Sequence, residues 1–194
     1  MYLFVGLGNI GKEYENTRHN FGFNVVNDII KKYNIINHES KFNSDIYTGF
    51  IENKKIIIAK PKTYMNNSGL AVSKIKNFYK IEPQNIFVFH DDMDLDFCKI
   101  KFKFGGGNAG HNGLKSIDAN IGNNYYRIRL GIGKPKFKDD TINFVIGKFL
   151  KEEQELIEKT IDKITNNIKE LFKENKDNFL QNINNAIVNT KLAK

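Results

Sequence analysis

A turn of glycines directly after the first strand-like run constrains this chain more than any other segment. Residues 1–5 form a short apolar run, and Gly6-Leu7-Gly8-Asn9-Ile10-Gly11 fits the G-x-G-x-x-G pattern of dinucleotide-binding α/β units. In such a unit the third glycine already lies in a helix packed on the sheet. Here residues 12–20 are polar, charged and aperiodic, and helical spacing starts only with Phe21, Val25, Ile29 and Ile30. A long loop carrying Asn9, Tyr14, Arg18, His19 and Asn20 therefore separates strand from helix. Loops of this length in compact domains are usually functional or disordered. One that is lined by glycine and delivers a histidine to a helix start has the form of a reaction site.

The rest of the chain supplies a scaffold for such a site. Runs at residues 46–51 and 55–59, separated by Glu52-Asn53-Lys54, read as a hairpin. Asn67-Ser68-Gly69 opens a predicted helix with Leu70, Val72, Ile75, Phe78 and Tyr79 as its apolar positions, stopped before Pro83. Ile86-Phe87-Val88-Phe89 is continuous in the manner of a strand buried on both faces, and it ends in His90-Asp91-Asp92. Residues 97–104 and 125–133 alternate as strands, with a short helix predicted over 111–121 between them. After Leu150, the spacing of Ile157, Ile161, Ile164, Ile168 and Leu171 predicts a helix, and that of Phe179, Leu180, Ile183 and Ile187 a second. The expected fold is α/β: a single domain over residues 1–194, a mixed twisted sheet flanked by helices, and C-terminal helices packed on the same core. With 194 residues and 40% apolar composition a sizeable core is available.

Composition narrows the setting. No run approaches the roughly 18 apolar residues of a membrane span, and no signal segment opens the chain, so a cytoplasmic protein without membrane contact is expected. The single Cys98 excludes an internal disulfide and, lying in a strand-like run, reads as a small buried hydrophobe. The net charge of +8 is compatible with a polyanionic partner if the cations cluster.

Chemistry-bearing residues fall at predicted strand ends. His19 at a helix start has a structural reading, capping or satisfying a backbone group. Asp91, at the end of the buried strand, opens another. In α/β sheets ligands bind beyond the carboxyl ends of strands. A carboxylate that accepts the Nδ1 proton of an imidazole fixes its tautomer and leaves the other nitrogen as a base toward water. Asp91, Asp92, Asp94 and Asp96 also admit a solvated acidic turn or a hard-cation site, but no His or Cys has ligand spacing around them. No covalent nucleophile is in view: G-x-S-x-G is absent, Ser68 reads as a helix start, and Cys98 as part of a strand. Residues 60–69 and 105–113 form two loops rich in asparagine and glycine whose amides suit a peptide edge, with two ordinary turns as the alternative. Strand alternation puts Lys99, Lys101 and Lys103 on one face and Arg127 and Arg129 on one face of another strand. If those strands adjoin, five cations form a stripe for phosphates, extended by Lys134, Lys136 and Lys138; a merely solvated sheet face is the alternative.

The succession VGLGN-IG, TRHNFG, KPKTYMNNSG, HDDMDL, KFKFGGGNAGHNGLKSI, RIRLGIGKP and FVIGKF closely resembles the bacterial-type peptidyl-tRNA hydrolases, in order over residues 3–149. The resemblance implies a monomeric enzyme that cleaves the ester between a peptide and the 3′ end of tRNA, without cofactor or metal. It implies that His19 activates water, Asp91 orients His19, and Asn9 places the water or the attacked carbonyl. Asn66 and Asn112 match positions that hold the peptide backbone, Tyr14 and Met65 positions lining the crevice, and Lys103 and Arg129 the pair that clamps the tRNA 5′-phosphate. Ile10 stands where the family usually has proline, so the Asn9 loop is less preset in φ. Two other readings remain open here. One is a dinucleotide-dependent oxidoreductase, whose acidic ribose ligand would have to be Glu39. The other is an RNA-binding relative that has lost the reaction.

Overall fold

A computed structural model of the protein describes residues 1–135 and 137–192, the side chains of 138 and 185–192 excepted. One seven-stranded mixed sheet organises the chain. The strands are β1 (Tyr2–Gly6), β2 (Asn37–Lys41), β3 (Ser44–Ile51), β4 (Lys54–Pro61), β5 (Ile86–Asp92), β6 (Ile100–Phe104) and β7 (Tyr126–Gly131), in the order β2-β3-β4-β1-β5-β7-β6. The four inner strands β4, β1, β5 and β7 run parallel, while β2, β3 and β6 pair antiparallel at the two edges.

Strand alternation divides the core in two. Leu3 and Val5 of β1 pack with Ile57, Val88, Leu114 and Ile117 under α2 (Ser68–Tyr79) and α3 (Asn112–Ile121). Phe4 turns to the opposite face and meets Phe87 and Phe89 edge-on, with ring centroids 5.5 and 5.7 Å apart. That face is covered by α1 (Phe21–Lys32), α5 (Lys151–Asn167) and α6 (Asp177–Leu192), through Val25, Ile29, Ile157, Ile164 and Phe179. Each such fully buried side chain is worth roughly 1.5–3 kcal/mol. The C-terminal helices are thus part of the same core, as their spacing predicts. The side chain of Ile187 lies outside the described residues.

Two local expectations are corrected, and one strand is added. Cys98 is not in a strand: it sits in a left-handed turn (φ 60°) before β6, which begins only at Ile100. It is nonetheless buried, and burial pushes its thiol up to about 11, so the inert reading of its chemistry holds. Leu70 and Phe78 of α2 are exposed, because the helix packs through Ala71, Val72 and Ile75 instead. The edge strand β2 has no sequence signal, since all five of its residues are exposed and none needs an apolar face.

The opening glycines also act differently from a dinucleotide fingerprint. Gly11 is exposed and left-handed (φ 115°) and only introduces a short 3-10 turn at Lys12–Tyr14. Close helix-to-sheet approach falls to Gly22, where a β-carbon would lie 2.6 Å from Leu7 N. Leu7 N in turn donates to Phe89 O at 2.9 Å, and Phe23 N to Leu7 O at 3.1 Å. The start of α1, and the histidine just before it, are thereby pinned between the ends of β1 and β5.

Candidate active site

His19 lies in the 3-10 turn Arg18–Asn20 that leads into α1. Both flanking residues brace it. Asn20 accepts from Asn9 N at 2.7 Å and donates to Asn9 O at 2.9 Å, closing the long loop onto itself. Arg18 is buried between the rings of Phe144 and Phe149, at 4.7 and 5.3 Å, donates to Lys148 O at 2.7 Å and pairs with Glu153 at 2.8 Å. The turn that carries His19 is thus tied to the segment linking α4 (Thr141–Ile146) to α5.

Asp91, buried at the end of β5, receives two imidazoles. His19 Nδ1 is 2.9 Å from both carboxylate oxygens, and His111 Nε2 is 2.9 Å from Oδ1. The tautomers follow from the partners. His111 caps α3, its Nδ1 accepting from Gly113 N and Leu114 N at 3.1 and 3.3 Å, so its proton must be on Nε2, facing the carboxylate. A carboxylate beside His19 Nδ1 likewise places that proton on Nδ1. Nε2 of His19 is left without a protein partner among the described residues, in a cleft of about 480 Å³.

The electrostatics separate the histidines. Burial alone would lower the pKa of His19, but the charge of Asp91 and the hydrogen bond to it outweigh burial and raise it above 6.5. His90 is fully buried, and burial together with the neighbouring His111 pushes it down to about 3, so it stays neutral. Burial works against the Asp91 charge, yet His19 and His111 hold the carboxyl well below its usual range.

His19, Asp91 and His111 lie close enough to hold an ion, with candidate ligand atoms within 4.8 Å of one another. The hydrogen bonds fit that poorly. The His111 nitrogen facing Asp91 bears a proton, and its other lone pair is taken by two backbone amides.

Of the remaining sequence candidates, Asn112, Lys103 and Arg129 line the same cleft. Asn9 lines a second cleft; its Oδ1 accepts from Met65 N at 2.8 Å, which leaves its Nδ2 as a donor. Met65 itself is buried in the core, so only its backbone takes part in this bracing. Asn66 is exposed in the 3-10 turn Met65–Asn67, and Tyr14 is half-buried in its own turn. His111, Asn20 and Arg18 carry much of the geometry, and sequence reasoning assigned none of them a role. The one signal for His111 was its place immediately before Asn112 at a helix start.

A family model described as peptidyl-tRNA hydrolase matches residues 3–191. The peptidyl-tRNA hydrolase of Rickettsia akari (strain Hartford) is 50% identical over 189 residues, 97% of this chain and 100% of that protein. The chain belongs to the peptidyl-tRNA hydrolase family. A relative of the same name in Aliarcobacter butzleri (strain RM4018) is 51% identical over 171 residues, covering 88% of this chain and 92% of that one. The crystal structure of peptidyl-tRNA hydrolase from Acinetobacter baumannii matches with a TM-score of 0.90 at 39% identity, covering 95% of this chain and 94% of that chain.

The oxidoreductase alternative loses its supports within this peptidyl-tRNA hydrolase fold. Gly11 is outside any α-helix, and Glu39 is exposed on β2 at the far edge of the sheet. The acidic turn is not uniformly solvated either: Asp91 and Asp92 are buried and bonded, and only Asp94 and Asp96 are open.

The five-cation stripe needs a larger correction. β6 and β7 do adjoin, with Lys101 opposite Arg129 and Lys103 opposite Arg127. Arg127, however, is buried, pairing with Asp118 at 2.8 Å and donating to Gly107 O at 2.6 Å. Lys99 precedes the strand and Lys134 pairs with Asp94 at 3.3 Å. Lys136 and the side chain of Lys138 lie outside the described residues. Lys101 and Lys103 remain exposed without ion pairs among the described residues, beside Arg129, whose Nε donates to Asp92 at 2.6 Å.

Proposed function

We propose that this chain hydrolyses the ester joining a peptide to the 3′ end of tRNA, with His19 as the general base that activates the attacking water. The observation that carries the reading is a single one. His19 is held by Asp91 through Nδ1 and presents an unpartnered Nε2 to a cleft that also contains Lys103 and Arg129. Family membership supports the substrate, and the geometry supports the roles.

In this reading water in the cleft gives its proton to Nε2 as it attacks the ester carbonyl. Asp91 stabilises the imidazolium that forms. The tetrahedral intermediate collapses, the 3′ oxygen leaves, and His19 returns the proton to it. A free peptide carboxylate and tRNA result. Asn9, through Nδ2, is assigned to the water or the developing oxyanion, and Asn66 and Asn112 to the peptide backbone, with Tyr14 and Met65 bounding that region. Lys103 and Arg129 are assigned to the 5′-phosphate of the acceptor stem. No step calls for a metal or a covalent intermediate. The reading implies a monomeric cytoplasmic enzyme, and no helix among the described residues is long and apolar enough to cross a membrane.

The test is release of N-acetylated aminoacyl groups from tRNA. Wild type should turn over, and His19→Ala should keep its fold and tRNA binding while losing turnover by about a thousandfold, within the range of general-base contributions. A His19→Ala variant within tenfold of wild type would remove the base from the scheme.

A further inference from the structure

A second cleft of about 400 Å³ lies at the end of β4 and the start of β3, and it is lined by Asn9 and Asn20, the pair whose hydrogen bonds brace the turn that carries His19. The amides of Asn9, Asn16, Asn20 and Asn24 line it, and Lys60, near the end of β4, reaches into it. Lys60 is half-buried, with Nζ 5.2 Å from the centroid of the Phe23 ring, and it has no ion pair or hydrogen bond among the described residues. The acid whose charge acts on it, Asp45, is occupied by Lys62 at 3.3 Å, Ser40 at 3.1 Å and His38 at 3.4 Å. Glu15, which also lines the cleft, is exposed and makes no ion pair with it. Burial lowers the pKa of Lys60, as expected of an ammonium short of counter-charge.

Sheet order gives this cleft a direction. Lys103 and Arg129 lie over β6 and β7, at one end of the row β4-β1-β5-β7-β6. His19 and Asp91 sit where β1 meets β5, and the second cleft lies over β1, β4 and β3. A substrate whose tRNA phosphate rests over β6 and β7, with its ester at His19, sends its acyl part toward the second cleft.

We infer that this cleft is a subsite for the peptide moiety, in which Lys60 binds the carboxylate of an Asp or Glu side chain close to the esterified residue. The row of carboxamides offers donors and acceptors to an extended peptide edge, and the under-compensated ammonium sets the charge that is favoured there. The inference rests on the ester-hydrolase reading above.

The experiment compares N-acetyl-dipeptidyl-tRNAs made on one tRNA, with Glu or Gln as the residue before the esterified alanine. For wild type, KM for the Glu substrate should be about fivefold below that for the Gln substrate, the size of a favourable partly exposed ion pair. Lys60→Met should bring that ratio to one. Lys60→Gln, which keeps a polar group in the cleft, should do the same and guards against a packing defect in the methionine variant. A ratio near one in wild type, or an unchanged ratio in both variants, overturns the subsite. Equal increases in KM for both substrates, growing as salt is lowered, would assign Lys60 to the RNA backbone and likewise overturn it. Cleavage of neither substrate by wild type would instead strike the ester-hydrolase reading on which the subsite rests.

Discussion

At the end of β5, a buried carboxylate takes hydrogen bonds from two imidazoles, each locked into one tautomer by its other contacts or by the carboxylate itself. Two strands away, on β6, Lys101 and Lys103 stand exposed without ion pairs among the described residues. Both regions are built from charge at the edge of one crevice, but they use it differently. In the first, nearly every polar valence is closed inside the protein, so position and proton affinity are fixed before any substrate arrives. In the second, charge is left open to solvent and to whatever anion comes near. Closed charge should govern rate, and open charge affinity and its dependence on salt. Arg129 lies between these cases, with Nε bound to Asp92 and the rest of its guanidinium toward the cleft.

After His19→Ala, the largest break in this contrast should come from Asp91→Asn. An amide keeps one acceptor oxygen but puts an N–H₂ where Oδ2 now lies, 2.9 Å from His19 Nδ1. Nδ1–H can still donate to Oδ1, also 2.9 Å away, but the new N–H₂ competes for Nδ1 as a donor and favours the tautomer whose proton sits on Nε2, where it takes the base lone pair. Turnover should fall about a hundredfold, less than for His19→Ala, since a fraction of molecules can still present the productive tautomer. The pH profile gives a second reading. Only neutral His19 is a base, and its pKa is raised above 6.5, so wild-type activity should decline on acidification with a midpoint above that value. In Asp91→Asn the raising charge is gone and burial alone remains, so the acidic limb should move to lower pH. A limb that stays in place would mean that some other group titrates.

How far the sequence carried these assignments differs between the two regions for a physical reason. His19 and Asp91 were legible because one precedes and the other ends an element with a plain apolar pattern, and the crevice rule for α/β sheets brings strand ends and the following helix starts together. His111 was not. A histidine before a helix start has no hydrophobic period, and its role depends on a carboxylate 20 positions away. Arg18 was hidden for the same reason, since its partner Glu153 is 135 residues distant. On β6 and β7, alternation placed the cations on the correct faces, yet it could not show that Asp118 neutralises Arg127 or Asp92 engages Arg129. Period gives the face of a side chain; only tertiary packing gives its partner. The same limit hid β2, which is stabilised by pairing with β3 and not by burial.

The open region should respond in KM. Lys103 lines the cleft with its ammonium against Gly106, a left-handed position (φ 99°) where a β-carbon would crowd Nζ. Lys103→Glu should raise KM about tenfold at low salt, with kcat nearly preserved, and the defect should shrink as salt rises. Lys101 lies on the same strand face and is equally exposed, but it does not line the cleft. Lys101→Glu should therefore cost no more than about threefold, the long-range share that any nearby cation contributes. The ratio between the two variants separates a located phosphate contact from a general positive field. Equal effects at the two positions would mean that the edge attracts tRNA without holding a particular phosphate, and the contrast with the Asp91 cluster would become one of distance from the ester, not of design.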